Sequence, residues 1–573
     1  MEKTALGSFY GTDEFPIEWR EGERELFWVL DDLHCPNPLS PMFFDIGGWW
    51  LTCDHMFRRF GTPFASDWIA KEINGYLYTA AISADPSVHA ESSEYNARYV
   101  PRVPDDEAFA GRIGPYLGSV LPHYAANFMD WWRERLRPEI ERNFAYLDSF
   151  EMDGADLIAL AVLLEDAIDV HDRHWKIHWM INFSQFSATL ALNGAIGELG
   201  DVDPALPGRL QSSIDDRNWD SIEALWQMKE EIKSEPELRS AFAADNAAGV
   251  LAALAAQERG RRFLRDRLDP YRSEFGRKAV WSHEFVYATW FENPAPIIEA
   301  VRGYLETDYD YPSTLAAVRA DLDGAVAELL AAAPEGEARQ RLQATLDLSL
   351  GMNPLTPDHH FYIDQGTNAR LRLVLVAIGR KLAAAGAIDD AEDVMFLRYN
   401  ELRAVIGDAS SLDARSLIGE RRDDREAAFE IRPPDWVGTA SEDALAFPYL
   451  TLWGFPEKFH RPRSESKDQI VGLAASAGIA EGPARVVESL EEFDQVQAGD
   501  ILVCRMTNPG WVVLFTKISG LVTDAGGMAA HPAVVAREFG IPAVVGTSNA
   551  TQRITTGQRL RVNGATGVVD VLG

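Results

Sequence analysis

The sequence predicts a multidomain chain, with a large, mainly α-helical domain followed by a small α/β domain. Three observations lead there. From about Glu18 to about Leu445 apolar residues recur at helical spacing, in segments rich in the strong helix formers Ala, Leu, Glu and Arg. After Arg425 prolines accumulate, and Pro433, Pro434, Pro448, Pro456 and Pro462 punctuate a stretch that ends in RPRSESKDQ. From Ile470 the pattern changes to short apolar runs bounded by glycine. The expected layout is a helical domain at 1–432, an extended linker at 433–467 and an α/β domain at 468–573. A chain of 573 residues is also too long for one ordinary core.

In the helical part the longest pattern begins at Asp153, DGADLIALAVLLEDAIDVHDRHWKIHWMINFSQFSATLAL. LRSAFAADNAAGVLAALAAQERGRRFLRDRL from Leu238 and TLAAVRADLDGAVAELLAAAP from Thr314 continue it. β-Branched alternation is scarce, so helix is expected throughout, and the absence of a fixed repeat period argues against a solenoid. In the last hundred residues IVGLAAS, GPARVVES, DILVCRM, GLVTDAG, PAVVG, LRVNG and GVVDVLG read as strands, with helices after Pro509 and His531.

A formal net charge of -34 argues against a nucleic-acid or anionic-membrane partner, because phosphate backbones demand positive charge. No apolar run reaches the ~20 residues needed to span a bilayer, and MEKTALGSFYGTDEF lacks the pattern of a signal peptide. Cys35, Cys53 and Cys504 lack metal-ligand spacing and read as reduced, buried thiols, which points to the cytoplasm. No G-x-x-x-x-G-K-[ST] loop is present.

Residues 522–547, VTDAGGMAAHPAVVAREFGIPAVVGT, are the most informative stretch. Gly526 and Gly527 end an apolar run, His531 stands at a helix entry, Pro532 suits the first helical position, and Gly540 ends the helix. A side chain there meets unpaired backbone N–H groups and the positive end of the helix dipole, which stabilise a phosphate and favour a neutral, nucleophilic imidazole. This pattern suits a phosphorylated histidine.

GGMAAH followed by PAVVAREFGIPAVVG resembles the phosphohistidine swivelling domain of the phosphoenolpyruvate synthase, pyruvate phosphate dikinase and rifampin phosphotransferase family. TNPGWVVLF from Thr507 resembles the family's T-x-P-x-W-x-x-L-F stretch. WVLDDLHCPNPLSPMF near Trp28, EFGRKAVWSHEFVYATWFENP from Glu274, DHHFYIDQ from Asp358 and EDVMFLRYNELR from Glu392 follow the order of the family's helical acceptor domain. The resemblance implies that His531 takes phosphate at one site, that Gly526, Gly527 and Thr507 bind it, and that the domain swings on the Pro-rich linker to deliver it elsewhere. The family usually has Thr or Ser just before the histidine, where this chain has Ala529 and Ala530. Without an ATP-grasp segment the arrangement looks like phenylphosphate synthase. This implies a separate ATP-grasp-type subunit holding Mg2+ and ATP, or phosphoenolpyruvate, with no cofactor or metal bound by this chain. The expected function is a dikinase-type phosphotransferase component acting on a hydroxyl. A non-catalytic binding or regulatory homologue remains the alternative.

His171, His174 and His178 lie at helical offsets of three and four, and so are candidate general bases on one face; a metal site or a polar stripe between helices are the other readings. His359 and His360 form a second candidate cluster beside Asp358 and Asp364, and as neighbours in sequence they are expected to face different ways. Arg277 and Lys278 could neutralise the oxygens of a phosphoryl in transfer. The density of tryptophan, including Trp49, Trp50, Trp175 and Trp179, suits an aromatic or apolar acceptor.

Overall fold

The computed structural model describes residues 5–55, 59, 67–82, 106–200, 202–203, 206–441, 464, 466, 468–488, 490–527 and 530–572. They fall into two compact units, each assembled from separated stretches of chain. The first comprises Met1–Ser187, His283–Val286 and Tyr362–Trp453, and the second Ala188–Ser282, Tyr287–Phe361 and Gly454–Gly573.

The first unit contains a sheet where the sequence reading expects helix. Strands β1 (Ala5–Phe9), β2 (Phe27–Leu30), β3 (Asp67–Ile73), β4 (Tyr76–Ile82) and β5 (Trp436–Ser441) form a five-stranded antiparallel sheet in the order β1-β5-β2-β4-β3. β3 and β4 are joined by Asn74 and Gly75, both at positive φ, the Asn-Gly pair that a tight hairpin turn favours. The alternation that would betray β2 is missing, because all four of its residues are buried. β5 lies within the stretch read as linker, and the two prolines just before it cost the sheet no ladder bond. Residues 442–463 of that stretch lie outside the described residues. Trp28, Ile73, Tyr76, Tyr78 and Val437 make the core of this layer.

Helices dominate elsewhere before the last hundred residues. The longest, Leu157–Gly197, runs for 41 residues from a start where Asp156 accepts a bond from the backbone N–H of Ala159 at 2.8 Å. In the second unit Asp216 caps helix Arg217–Ser234 by accepting from the N–H groups of Asn218 and Trp219. Trp219, Leu225, Leu238, Phe263, Ile297 and Tyr304 form its helical core, against which Val512, Val513 and Phe539 pack. Among the described residues no helix is long and apolar enough to cross a membrane.

The C-terminal residues form the α/β domain that the glycine-bounded runs predict. Strands β6 (Gln469–Val471), β7 (Leu473–Ser476), β8 (Ile479–Val487), β9 (Ile501–Cys504), β10 (Gly520–Thr523), β11 (Ala543–Val545), β12 (Arg559–Asn563) and β13 (Val568–Val571) make an eight-stranded sheet. Its order is β6-β13-β12-β8-β9-β10-β11-β7, with β8, β9, β10 and β11 parallel at the centre. Gly564 turns the chain after β12 so tightly that a Cβ there would lie 1.8 Å from the Ser476 carbonyl oxygen. Gly564→Ala should therefore cost about 3 kcal/mol, since backbone must move to admit the methyl. Urea unfolding followed by tryptophan fluorescence measures this loss, and a change under about 0.5 kcal/mol would contradict it.

Candidate active site around His531

The histidine loop starts where β10 ends. Asp524 follows the strand with its carboxylate buried; it accepts from the N–H of Thr551 at 3.1 Å and from the hydroxyls of Thr547 and Thr551. Its backbone N–H donates to Cys504 O at 3.1 Å, and that of Ala525 donates to Arg505 O at 2.8 Å. These bonds tie the loop to the ends of β9 and β11. Burial raises the Asp524 carboxyl above the usual range, against the hydrogen bonds that lower it. The loop then turns at Gly526, whose φ of 111° suits glycine. Met528 and Ala529 lie outside the described residues.

Ala530 is the N-cap of helix His531–Glu538, with extended backbone and no side-chain cap. His531 is thus the first helical residue and Pro532 the second, one place later than the sequence reading puts it, where a missing N–H still costs nothing. The imidazole is half-buried, and its Nδ1 lies 2.9 Å from the Thr507 hydroxyl oxygen. No bond to Nε2 is found among the described residues. Phe515 stands edge-on to the ring at 6.3 Å. Burial, then the positive fields of His360 and Lys278, push the imidazole well below its ordinary range. His531 is therefore neutral at pH 7 and carries a lone pair.

Lys278 is buried in the same unit. Its ammonium donates to the Ser221 hydroxyl at 3.1 Å and lies 4.7 Å from the centre of the Trp290 ring. Burial lowers its pKa to about 7. Arg277 beside it rests its guanidinium 3.6 Å from the centre of the Phe291 ring. Of this basic pair it is Lys278 whose field reaches His531.

His359 and His360 do not face different ways. Their rings stack at 4.2 Å, because the α-helical turn Leu355–His359 passes at His360 into a π-helix, His360–Thr367, whose wider turn changes the angle between neighbouring side chains. His359 Nδ1 lies 2.8 Å from Leu355 O, and His360, half-buried, contributes the charge felt at His531.

The three histidines of the long helix lie in the first unit and meet three different partners. His171 Nε2 is 3.1 Å from Gly47 O. His174 lies between the Thr367 hydroxyl at 2.8 Å from Nδ1 and the Asn143 amide at 3.1 Å from Nε2, which fixes it neutral with its proton on Nδ1. Nothing remains on it to accept a substrate proton. His178 Nε2 is 3.9 Å from Asp364 Oδ1.

Burial lowers His174 from 6.5 to about 3, so the unfolded chain takes up a proton that the folded one refuses. Its contribution to stability is complete above about pH 6.5 and falls at about 1.4 kcal/mol per pH unit below that, until about pH 3. Urea midpoints at pH 7 and pH 5 should show a loss of about 2 kcal/mol that His174→Gln removes. An unchanged slope in that variant would reject the assignment.

Two residues of this site left no distinct signal in the sequence. Asp524 is a lone acid after a strand, and Ser221 is an ordinary helix residue, so only the fold reveals what they hold. A family model described as "PEP-utilising enzyme, mobile domain" matches residues 496–567, and one described as "Rifampicin phosphotransferase fourth domain" matches residues 179–353. The chain is 29% identical to chondramide synthase cmdD of Chondromyces crocatus over 98% of its own length and 14% of that protein's. It is 30% identical to the uncharacterized phosphotransferase YvkC of Bacillus subtilis over 70% of its length and 47% of that protein's. To the rifampicin phosphotransferase of Bacillus cereus it is 30% identical over 55% of its length and 35% of that protein's. It therefore spans less than half the length of each of these relatives. With the histidine loop inside one matched region and the second-unit helices inside the other, the chain belongs to the phosphoenolpyruvate-utilising superfamily.

Proposed function

We propose that this chain carries phosphoryl on His531 and passes it to a hydroxyl of an apolar or aromatic small molecule. The observation that carries the reading is the neutral imidazole at a helix entry, with Nδ1 on Thr507 and Nε2 without a partner among the described residues. With its proton on Nδ1 donated to the Thr507 oxygen, the ring presents the Nε2 lone pair to phosphorus. The P–N bond forms as the donor's P–O bond breaks, and the ring becomes a phosphoimidazolium that keeps its Nδ1 proton. The helix N-terminus and Lys278 offset the charge of the phosphoryl oxygens. Thr507 also supports catalysis over a merely binding role, because it supplies an orienting hydroxyl where Ala529 and Ala530 have none.

In this reading the donor is ATP or phosphoenolpyruvate with Mg2+, held by an ATP-grasp-type domain on a partner subunit. The relatives named as rifampicin phosphotransferases are in keeping with a small-molecule acceptor. Calorimetry on the purified chain with ATP and Mg2+ should show no binding tighter than about millimolar, or about -4 kcal/mol. Adding an ATP-grasp partner with labelled ATP should place one acid-labile phosphoryl on the chain. Micromolar ATP binding by the chain alone would overturn the division of labour, and a chain that never takes label would overturn the carrier.

A further inference from the structure

The first unit holds a second group of imidazoles and carboxylates, around His34. Asp31, directly after β2, is fully buried, and its backbone N–H is bonded to Leu77 O at 3.0 Å. Its Oδ2 accepts from Trp49 Nε1 at 3.0 Å, its Oδ1 accepts from the His34 backbone N–H at 3.1 Å, and the two oxygens lie 3.1 and 3.0 Å from His34 Nδ1. The His34 ring is 5.8 Å from Trp49 and stands edge-on to buried His283 at 5.5 Å. Trp175 follows at 6.0 Å from His283 and 4.6 Å from His178, whose partner is Asp364.

A buried carboxylate is costly unless donors surround it, and here three N–H groups converge on Asp31. Their joint effect falls on His34. With Nδ1 held as the donor to Asp31, the neutral ring carries its lone pair on Nε2. That atom has no hydrogen-bond partner among the described residues, and the side chain is 29% exposed beside buried neighbours. His174, by contrast, has both nitrogens occupied, so of the two only His34 can take a proton from a substrate.

We propose that His34 is the general base for the acceptor hydroxyl, that Asp31 is its positioning residue, and that Trp49, Trp175 and His283 wall the place of an aromatic alcohol. This rests on the phosphoryl-carrier reading of His531. In the transfer step the acceptor O–H gives its proton to His34 Nε2, and the oxygen's freed pair forms the new O–P bond. The P–Nε2 bond of phospho-His531 breaks, and its pair stays on the His531 ring, which already holds a proton on Nδ1 and so leaves as neutral imidazole. Asp31 stabilises the His34 imidazolium until it releases the proton to water. The products are a phosphate monoester and the uncharged carrier.

The charges around the dyad fit this role. Burial alone would lower His34, but Asp31 outweighs it, with Asp364 and Asp32 adding to the effect, so the imidazole is raised above its ordinary range. Burial would likewise raise Asp31, and His34 with a smaller contribution from His283 holds it below the usual carboxylate range instead. The groups that face His34 are thus Asp31, Asp32, Asp364 and His283, and removal of Asp31 must lower the pH at which His34 loses its proton.

The test charges His531 in the full chain with phosphoramidate, removes the excess, and adds phenol or benzyl alcohol. Phosphorus NMR then follows the loss of phosphohistidine and the growth of the ester. His34→Gln and Asp31→Asn should charge at the wild-type rate and keep the parent's near-ultraviolet circular dichroism, to which the buried tryptophans of the first unit contribute, which shows that both fold. His34→Gln should slow ester formation about 10²- to 10⁴-fold. Asp31→Asn should slow it and move the acid limb of the rate to lower pH, a shift that a merely structural pair would not produce. Ester formation at the wild-type rate in His34→Gln would overturn the proposal, as would a charged wild type that makes no ester from either alcohol. Failure to charge His531 at all would instead overturn the carrier reading, and the proposal with it.

Discussion

His531→Ala is expected to leave the chain with no acid-labile phosphoryl, whatever donor is offered, while circular dichroism stays that of the parent. The fold should tolerate the change, because the imidazole is half-buried and its one hydrogen bond among the described residues is to Thr507. No other described histidine of the second unit enters a helix after a glycine turn, and His359 already has a ring nitrogen 2.8 Å from Leu355 O. The pH dependence follows from the shift. Burial, His360 and Lys278 hold the imidazole well below 6.5, so it stays nucleophilic in acid where a free imidazole would be mostly protonated. The charging rate should rise from pH 8 toward 6 as Lys278, lowered to about 7, gains its proton, and fall only further into acid, where His531 itself is protonated. Lys278→Met removes one of the two positive fields and should move the acid limb upward, toward 6.5. Peptide mapping by mass spectrometry at alkaline pH reads the site, and phosphate on any other residue would sink the assignment.

Thr507→Val is expected to slow charging of His531 by about 10²-fold. Valine keeps the shape of this buried threonine and removes only the oxygen that holds Nδ1. Without it the neutral ring is free to place its proton on Nε2, and the lone pair then points away from the donor. Serine keeps the oxygen, so Thr507→Ser should charge within a few-fold of the parent. Stopped reactions run on acid-free gels give both rates. A valine variant that charges as fast as the serine variant would show that Thr507 packs against the histidine without orienting it.

Local sequence chemistry determined the histidine loop and the α/β domain around it. Gly526 needs a positive φ, Pro532 tolerates a helix start, and the glycine-bounded runs of residues 470–571 give one strand each except IVGLAAS, which Gly472 divides between β6 and β7. These features depend on neighbours a few residues away, so spacing alone exposes them. The five-stranded sheet of the first unit stayed hidden for the opposite reason. β5 pairs with β1 and β2 from the far end of the chain, and the wholly buried β2 has no alternation to read. The histidines divide along the same line. Offsets of three and four along one helix made His171, His174 and His178 look alike, yet each imidazole's chemistry is set by the group packed against it, and those groups come from remote segments. Tertiary structure alone brought His360 and Lys278 to His531, and Trp49 to the Asp31–His34 pair. A sequence shows which side chains can bind a proton or a phosphate, but burial and partners fix their protonation state, and both arise only when distant parts of the chain pack together.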